Sequence, residues 1–149
     1  MTTAPSSREA QSSREAIEAF LAQPRNVMVA AIRRDGRPQM TPNWFVWDGS
    51  RFYISTTKTR QKYKNFRRDP RVQLAVDDPT GFKCVVIDGT VEVWEDHARG
   101  LPFFRRITEK HRGQAPDDQT ILERLAKEQR VLLVITPDKG IEAWTNWGF

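Results

Sequence analysis

At 149 residues the chain has room for one hydrophobic core, and 38% hydrophobic against 29% charged residues excludes a disordered chain. A net charge of +5 points to anionic partners: nucleic acid, a membrane surface, or a phosphorylated or polycarboxylate small molecule. The longest apolar run, 27–32, is far short of the roughly 20 residues of a membrane span, and the polar N-terminus has no signal-peptide core, so a cytoplasmic location is expected.

Residues 1–11 are rich in Ser, Thr, Pro and Ala and read as a disordered tail, leaving 12–149 as one domain. The string Ser-Ser-Arg-Glu-Ala occurs at 6–10 and again at 12–16. Its second copy opens a helix, because Ser12 and Glu15 have capping-box spacing and Ile17, Phe20 and Leu21 form a stripe. Beyond Pro24 the period changes to two. Residues 27–34, 39–47 and 51–56 read as strands joined at Asp35-Gly36 and Asp48-Gly49, two type I′ hairpin signals that predict an antiparallel meander.

Residues 58–68 predict a short basic helix stopped by Asp69-Pro70. Strands resume at 71–76, 83–88 and 90–94, with a bend or bulge at Gly89. Helices over 96–110 and 118–128, a strand over 130–136 and a short last strand at 141–144 complete the chain. Seven or eight mostly antiparallel strands with peripheral helices give a mainly β fold, and closure into a barrel removes the sheet edges. Cys84, the lone cysteine, reads as a small buried hydrophobe.

The densest chemical signal is the stretch 55–68. Ser55, Thr56 and Thr57 put three hydroxyls at a strand end, directly before a basic helix. Hydroxyls, helix N-terminal N–H groups and the helix dipole suit a phosphate, and Arg60 and Lys62 add charge-assisted contacts. A solvated basic helix face is the alternative. Nucleic acid is a third reading, but no helix-turn-helix, zinc spacing or RNP-like string accompanies the run. Thr41-Pro42-Asn43-Trp44 interrupts the second strand, since proline cannot donate to a ladder. A bulge there turns Asn43 and Trp44 towards a flat ring, or leaves Trp44 in the core. His97 and His111 have no partners at metal-ligand spacing, and no metal site is expected.

Five strings carry a resemblance when taken together: Asp-Gly-Arg-Pro at 35–38, Thr-Pro-Asn-Trp-Phe at 41–45, Tyr-Ile-Ser-Thr-Thr at 53–57, Arg-Gln-Lys at 60–62 and Asn-Phe-Arg-Arg-Asp-Pro-Arg-Val at 65–72. In order and spacing they resemble the pyridoxamine 5′-phosphate oxidase-like split-barrel superfamily, and within it the actinobacterial deazaflavin (coenzyme F420)-dependent oxidoreductases. The resemblance implies an antiparallel, FMN-binding-like split β-barrel homodimer with two cofactor sites at the subunit interface. It places Arg60 and Lys62 on the phosphate, Ser55, Thr56 and Thr57 beside it, and Pro42, Asn43 and Trp44 along the ring system. It assigns Phe82 to an aromatic position supplied by the other subunit, and Lys58 is an extra basic residue.

The function implied is hydride transfer from reduced F420 to an unsaturated or quinone-like small molecule. An FMN-dependent oxidase or reductase, or a non-catalytic flavin-binding protein, are the alternatives. No catalytic triad is required, because a flavin or deazaflavin carries its own redox chemistry.

Overall fold

A computed structural model describes residues 6–149, Ser12 by its backbone alone. Helix α1 (Ser7–Ala22) begins one repeat earlier than expected. Ser6 Oγ accepts from the Glu9 N–H at 3.2 Å, and Glu9 Oε2 accepts from the Ser6 N–H at 2.9 Å. Both copies of the repeat have capping-box spacing. The upstream one starts the helix, because every residue added behind a formed cap gains a hydrogen bond. Residues 7–11 are therefore helical, and the part of the expected tail at 1–5 lies outside the described residues.

The elements that follow are β1 (Val27–Ile32), β2 (Pro38–Asn43), β3 (Val46–Trp47), β4 (Phe52–Thr57), α2 (Gln61–Arg68), β5 (Arg71–Asp77) and β6 (Cys84–Trp94). Then come α3 (His97–Arg112), α4 (Asp118–Lys127), β7 (Arg130–Pro137), a 3₁₀ turn at Ile141–Ala143 and β8 (Thr145–Trp147). Every strand pair is antiparallel. The order is β2-β1-β5-β6-β7-β4-β3, with β8 against β6, and the sheet curls into the half-barrel of a split-barrel fold.

Five local expectations change. The meander breaks after β2, because β3 pairs with β4 at the far end of the sheet and not with β2. Neither hairpin is type I′, which needs two positive φ angles. In the first, Gly36 alone is positive (φ 89°) and its N–H donates to Arg33 O, giving a type I turn with a glycine bulge. In the second, only Gly49 is positive, at 95°.

Gly89 makes no bulge, since register and inward–outward alternation run through it. A Cβ there would sit 2.8 Å from the Thr136 carbonyl oxygen, so glycine lets β6 and β7 approach. Pro42 makes none either. The β1–β2 register is unbroken, and the proline is tolerated because β2 is an edge strand. The expected strand at 141–144 is the 3₁₀ turn, with β8 just after it.

Two apolar clusters flank β4 and β7. Val29, Phe45, Ile54, Leu74, Ile87 and Leu133 fill the barrel, closed by Ile17, Phe20 and Leu21 of α1. Tyr53, Leu132 and Val134 face the other way and pack under Phe104, Ile107, Ile121 and Leu125 of α3 and α4. Burial on both faces explains why β7 reads as a continuous apolar run from Val131 to Ile135. No helix among the described residues is long and apolar enough to cross a membrane.

Candidate functional site

Strand β4 ends at Thr57, and four residues later α2 begins at Gln61, with Arg60 at its N-cap and no side chain capping it. The inward face of α2 is Lys62, Asn65 and Phe66, spaced as one helical stripe. Phe66 enters the barrel core. Lys62 does not: only 7% exposed, it sends its ammonium to a single neutral acceptor, Asn43 Oδ1, at 2.9 Å. Burial pushes its pKa down, and the nearby Arg60 charge pushes the same way. No carboxylate among the described residues lies within ion-pair distance of it. An ammonium has three donors and is costly to bury without compensation. One partner leaves this one unsatisfied.

Asn65, 1% exposed, braces the helix from below. Its Nδ2 donates to Gln39 Oε1 at 2.9 Å, and its Oδ1 accepts from Gln61 and Arg68, both at 3.2 Å. The result is a cavity of about 600 Å³ between β2, β4 and the start of α2, lined by Pro42, Asn43, Ser55, Thr57, Arg60 and Lys62, with Thr59 and Arg130. Strand alternation separates the three hydroxyls. Ser55 and Thr57 share one face of the sheet with Arg130, whose Nη1 donates to Ser55 Oγ at 3.2 Å. Thr56 lies on the other face with its side chain buried, so it offers the cavity its backbone.

A second cavity of about 560 Å³ adjoins the first and shares Pro42, Asn43, Ser55 and Arg130 with it. Trp44 lines it, stacked on His111 at 4.9 Å with the rings 5° apart. Trp44 is therefore cavity wall and not core. His111 Nε2 lies 3.3 Å from Phe45 N and 3.2 Å from Phe45 O, which fixes the turn between β2 and β3. Burial lowers the His111 pKa, opposed by the Phe45 backbone bond and assisted by the charge of Lys110.

Residues 13–143 match the family model described as pyridoxamine 5′-phosphate oxidase. The chain belongs to the pyridoxamine 5′-phosphate oxidase family. An F420 reductase is 29% identical with a TM-score of 0.67, covering 86% of this chain and 94% of that one. A conserved hypothetical protein from Mycobacterium tuberculosis is 26% identical with a TM-score of 0.76, over 89% of this chain and 82% of its own. The heme storage protein of Vibrio cholerae superposes with a TM-score of 0.71 over 91% and 94% at 17% identity, a likeness of fold alone. The pyridoxamine 5′-phosphate oxidase family thus supplies a flavin-binding fold whose members include oxidoreductases.

Eight of the ten residues singled out in the sequence of this pyridoxamine 5′-phosphate oxidase family member line the two cavities: Pro42, Asn43, Trp44, Ser55, Thr56, Thr57, Arg60 and Lys62. Lys58 does not. Its ammonium turns to Glu95 at 3.8 Å, beside the Tyr63 hydroxyl that donates to the same carboxylate. Phe82 does not either, standing 80% exposed in the loop before β6. Asn43, expected along a ring, lines both cavities and also tethers Lys62. Sequence reasoning missed Arg130, the charged residue that opens the apolar run of β7 and lines both cavities. It also missed His111, which reads as surface in the chain and whose role depends on α3 ending beside Trp44.

Proposed function

We propose that the protein binds the phosphate-bearing cofactor coenzyme F420 and works as a homodimeric oxidoreductase, delivering hydride to an unsaturated or quinone-like small molecule. The observation that carries this is the buried, unneutralised Lys62 ammonium at the cavity between β4 and α2. A phosphate supplies the missing negative charge and acceptors. Arg60 adds a bidentate fork, Ser55 and Thr57 add hydroxyls, and the uncapped first turn of α2 adds N–H groups. The donor set fits the group.

F420 is favoured over FMN by what adjoins this cavity on the side away from Trp44. Gln39 and Gln61 also line a third cavity, whose other walls include Arg33, paired with Asp35, and Arg34, which has no ion pair among the described residues. That basic continuation suits an anionic tail beyond the phosphate, for which FMN has no use. When bound, F420 supplies the hydride chemistry itself. The chain's residues hold the phosphate at Arg60 and Lys62 and flank the ring with Pro42, Trp44 and Arg130. Phe82, exposed and outside both cavities of its own chain, suits a contribution to the partner's site.

Fluorescence titration with F420 and with FMN tests the reading. F420 is expected to bind more tightly, with affinity lost in Lys62→Met, and the loaded protein is expected to reduce the quinone menadione. Tighter binding of FMN at low and at high salt would replace F420 by FMN. Sedimentation showing a stable 17.3 kDa monomer at micromolar concentration would sink the shared site.

A further inference from the structure

The cavity walled by Trp44 continues away from Lys62, between α3 and α4. Its floor is apolar: Phe104 and Ile107 from α3, Ile121 and Leu125 from α4. Its mouth is cationic, with Arg112 from one helix and Arg124 from the other. The same two arginines line an adjoining cavity of about 620 Å³, so they stand on a shared lip. The volume of about 560 Å³ falls within the range of small-molecule sites, roughly 300–1,000 Å³.

The charges do not cancel. The carboxylate lining this cavity, Glu128, is held by Arg130 Nε at 2.6 Å. Among the described residues no carboxylate lies within ion-pair distance of Arg112 or Arg124. Arg112 lies 5.4 Å over the Trp44 ring, which joins the cationic mouth to the aromatic wall. An apolar floor gives nothing to a small inorganic anion or a polyphosphate. Two guanidiniums at the lip give a carboxylate charge-assisted hydrogen bonds that a neutral molecule does not collect.

We propose that this compartment is the substrate site, and that it takes an amphipathic anion: an apolar, ring-sized body inserted against Phe104, Ile107, Ile121 and Leu125, with one carboxylate-like group at Arg112 and Arg124. The assignment of this molecule as the substrate rests on the function proposed above. The compartment itself does not, so its test uses cofactor-free protein.

The probes are the aromatic sulfonate 1-anilinonaphthalene-8-sulfonate and its uncharged counterpart N-phenyl-1-naphthylamine, titrated by fluorescence. The native protein is expected to prefer the sulfonate by about tenfold, a modest gain for a charge-assisted pair at a solvated lip. The double variant Arg112→Ala, Arg124→Ala is expected to bring the two dyes within about twofold. Thr108→Trp, which fills the mouth from α3, is expected to remove both dyes, and Lys62→Met to change neither.

Equal binding of the two dyes to the native protein overturns the proposal. So does sulfonate binding that survives the arginine double variant, or that is lost in Lys62→Met. Should Thr108→Trp fail to fold, the arginine variant decides alone, since both its sites are exposed. Failure of F420 to bind protein that passes these dye tests would overturn the cofactor reading and leave the compartment standing.

Discussion

Two lysines are taken out of water in this protein without a carboxylate partner, one at the start of α2 and one near the end of α3, and they are treated in opposite ways. Lys110 Nζ donates to Leu21 O at 2.7 Å and to Phe45 O at 3.0 Å, and lies 3.6 Å over the Phe45 ring. It joins the end of α1 to the turn before β3, and neither cavity of the candidate site is lined by it. Lys62 has Asn43 Oδ1 alone and faces a cavity. Both have pKa values lowered chiefly by burial. On the function proposed above, what separates a structural cation from a binding one is not its burial but how many of its three donors the protein itself uses.

The largest effect that sharpens the contrast is on ligand affinity. Lys62→Met is expected to weaken F420 binding by about 1.5–3 kcal/mol, the range for hydrogen bonds to charged groups. Arg60→Ala, at an exposed position, is expected to cost less, about 1 kcal/mol. A change under twofold in Lys62→Met, by fluorescence titration, would break the comparison. Stability is expected to respond in reverse. Lys110→Met removes the ammonium donor from Leu21 O and Phe45 O and should cost about 1–3 kcal/mol, whereas Lys62→Met removes an uncompensated buried charge and should cost nothing or stabilise. Urea midpoints of the cofactor-free proteins check this, and equal losses in both variants would mean that Lys62 too is structural.

A smaller effect is the pH dependence. Burial, with the Arg106 charge in second place, lowers the Lys110 pKa from 10.5 to about 8. For a base depressed in the folded state, the unfolded chain binds more protons between those values. Stability from this group therefore rises as pH climbs above about 8 and is flat below it. The neutral amine keeps two donors for its two carbonyls. Cys84, whose pKa is raised by burial and then by Asp77, pulls the opposite way from about pH 9 upward. The clean window is thus pH 8–9. There the gap in urea midpoint between the native protein and Lys110→Met should widen with pH, and a constant gap would show that Lys110 is not depressed.

Much of this was legible in the chain, and the illegible parts share a cause. Periodicity found the α1 stripe and the strands, because burial of Ile17, Phe20 and Leu21 or alternation along β5 is a local pattern. It joined β2 to β3 across Trp44 and Phe45, and nothing local says that the two strands lie at opposite ends of the sheet. Periodicity also assigns inward positions to apolar side chains. Along α2 the apolar positions are Tyr63 and Phe66 alone, so a pattern of apolar residues does not show that Lys62 shares the buried face with Phe66. The basic run and its hydroxyls were visible as a phosphate signal, yet alternation splits Thr56 from Ser55 and Thr57. Arg130 enters only through the register that sets it opposite Thr57.

The smallest expected effect separates the basic residues beside the cavity from one another. By sequence, Lys58 is an extra basic residue beside Arg60 and Lys62. In the fold, Glu95 neutralises it away from the cavity, and Arg68 is spent on Ile32 O and Asn65 Oδ1. The open continuation runs past Gln39 and Gln61 to Arg33 and Arg34. Arg33 is shared with Asp35 at 3.2 Å, and Arg34 has no ion pair among the described residues. An anionic glutamate tail following this path meets solvated charges, each worth about 0–1 kcal/mol and screened over roughly 8–10 Å at physiological salt. F420 with a longer tail should accordingly bind a few-fold more tightly than F420 with a short one, and about 1 M salt should remove most of that advantage. Arg34→Ala should reduce the advantage at low salt, while Lys58→Ala should leave it unchanged. Titrations of the three proteins with short- and long-tailed F420 at two salt concentrations decide it. If Lys58→Ala and Arg34→Ala reduce the advantage equally, the tail answers to the net charge of the surface and not to a path, and the third cavity has no part in holding it.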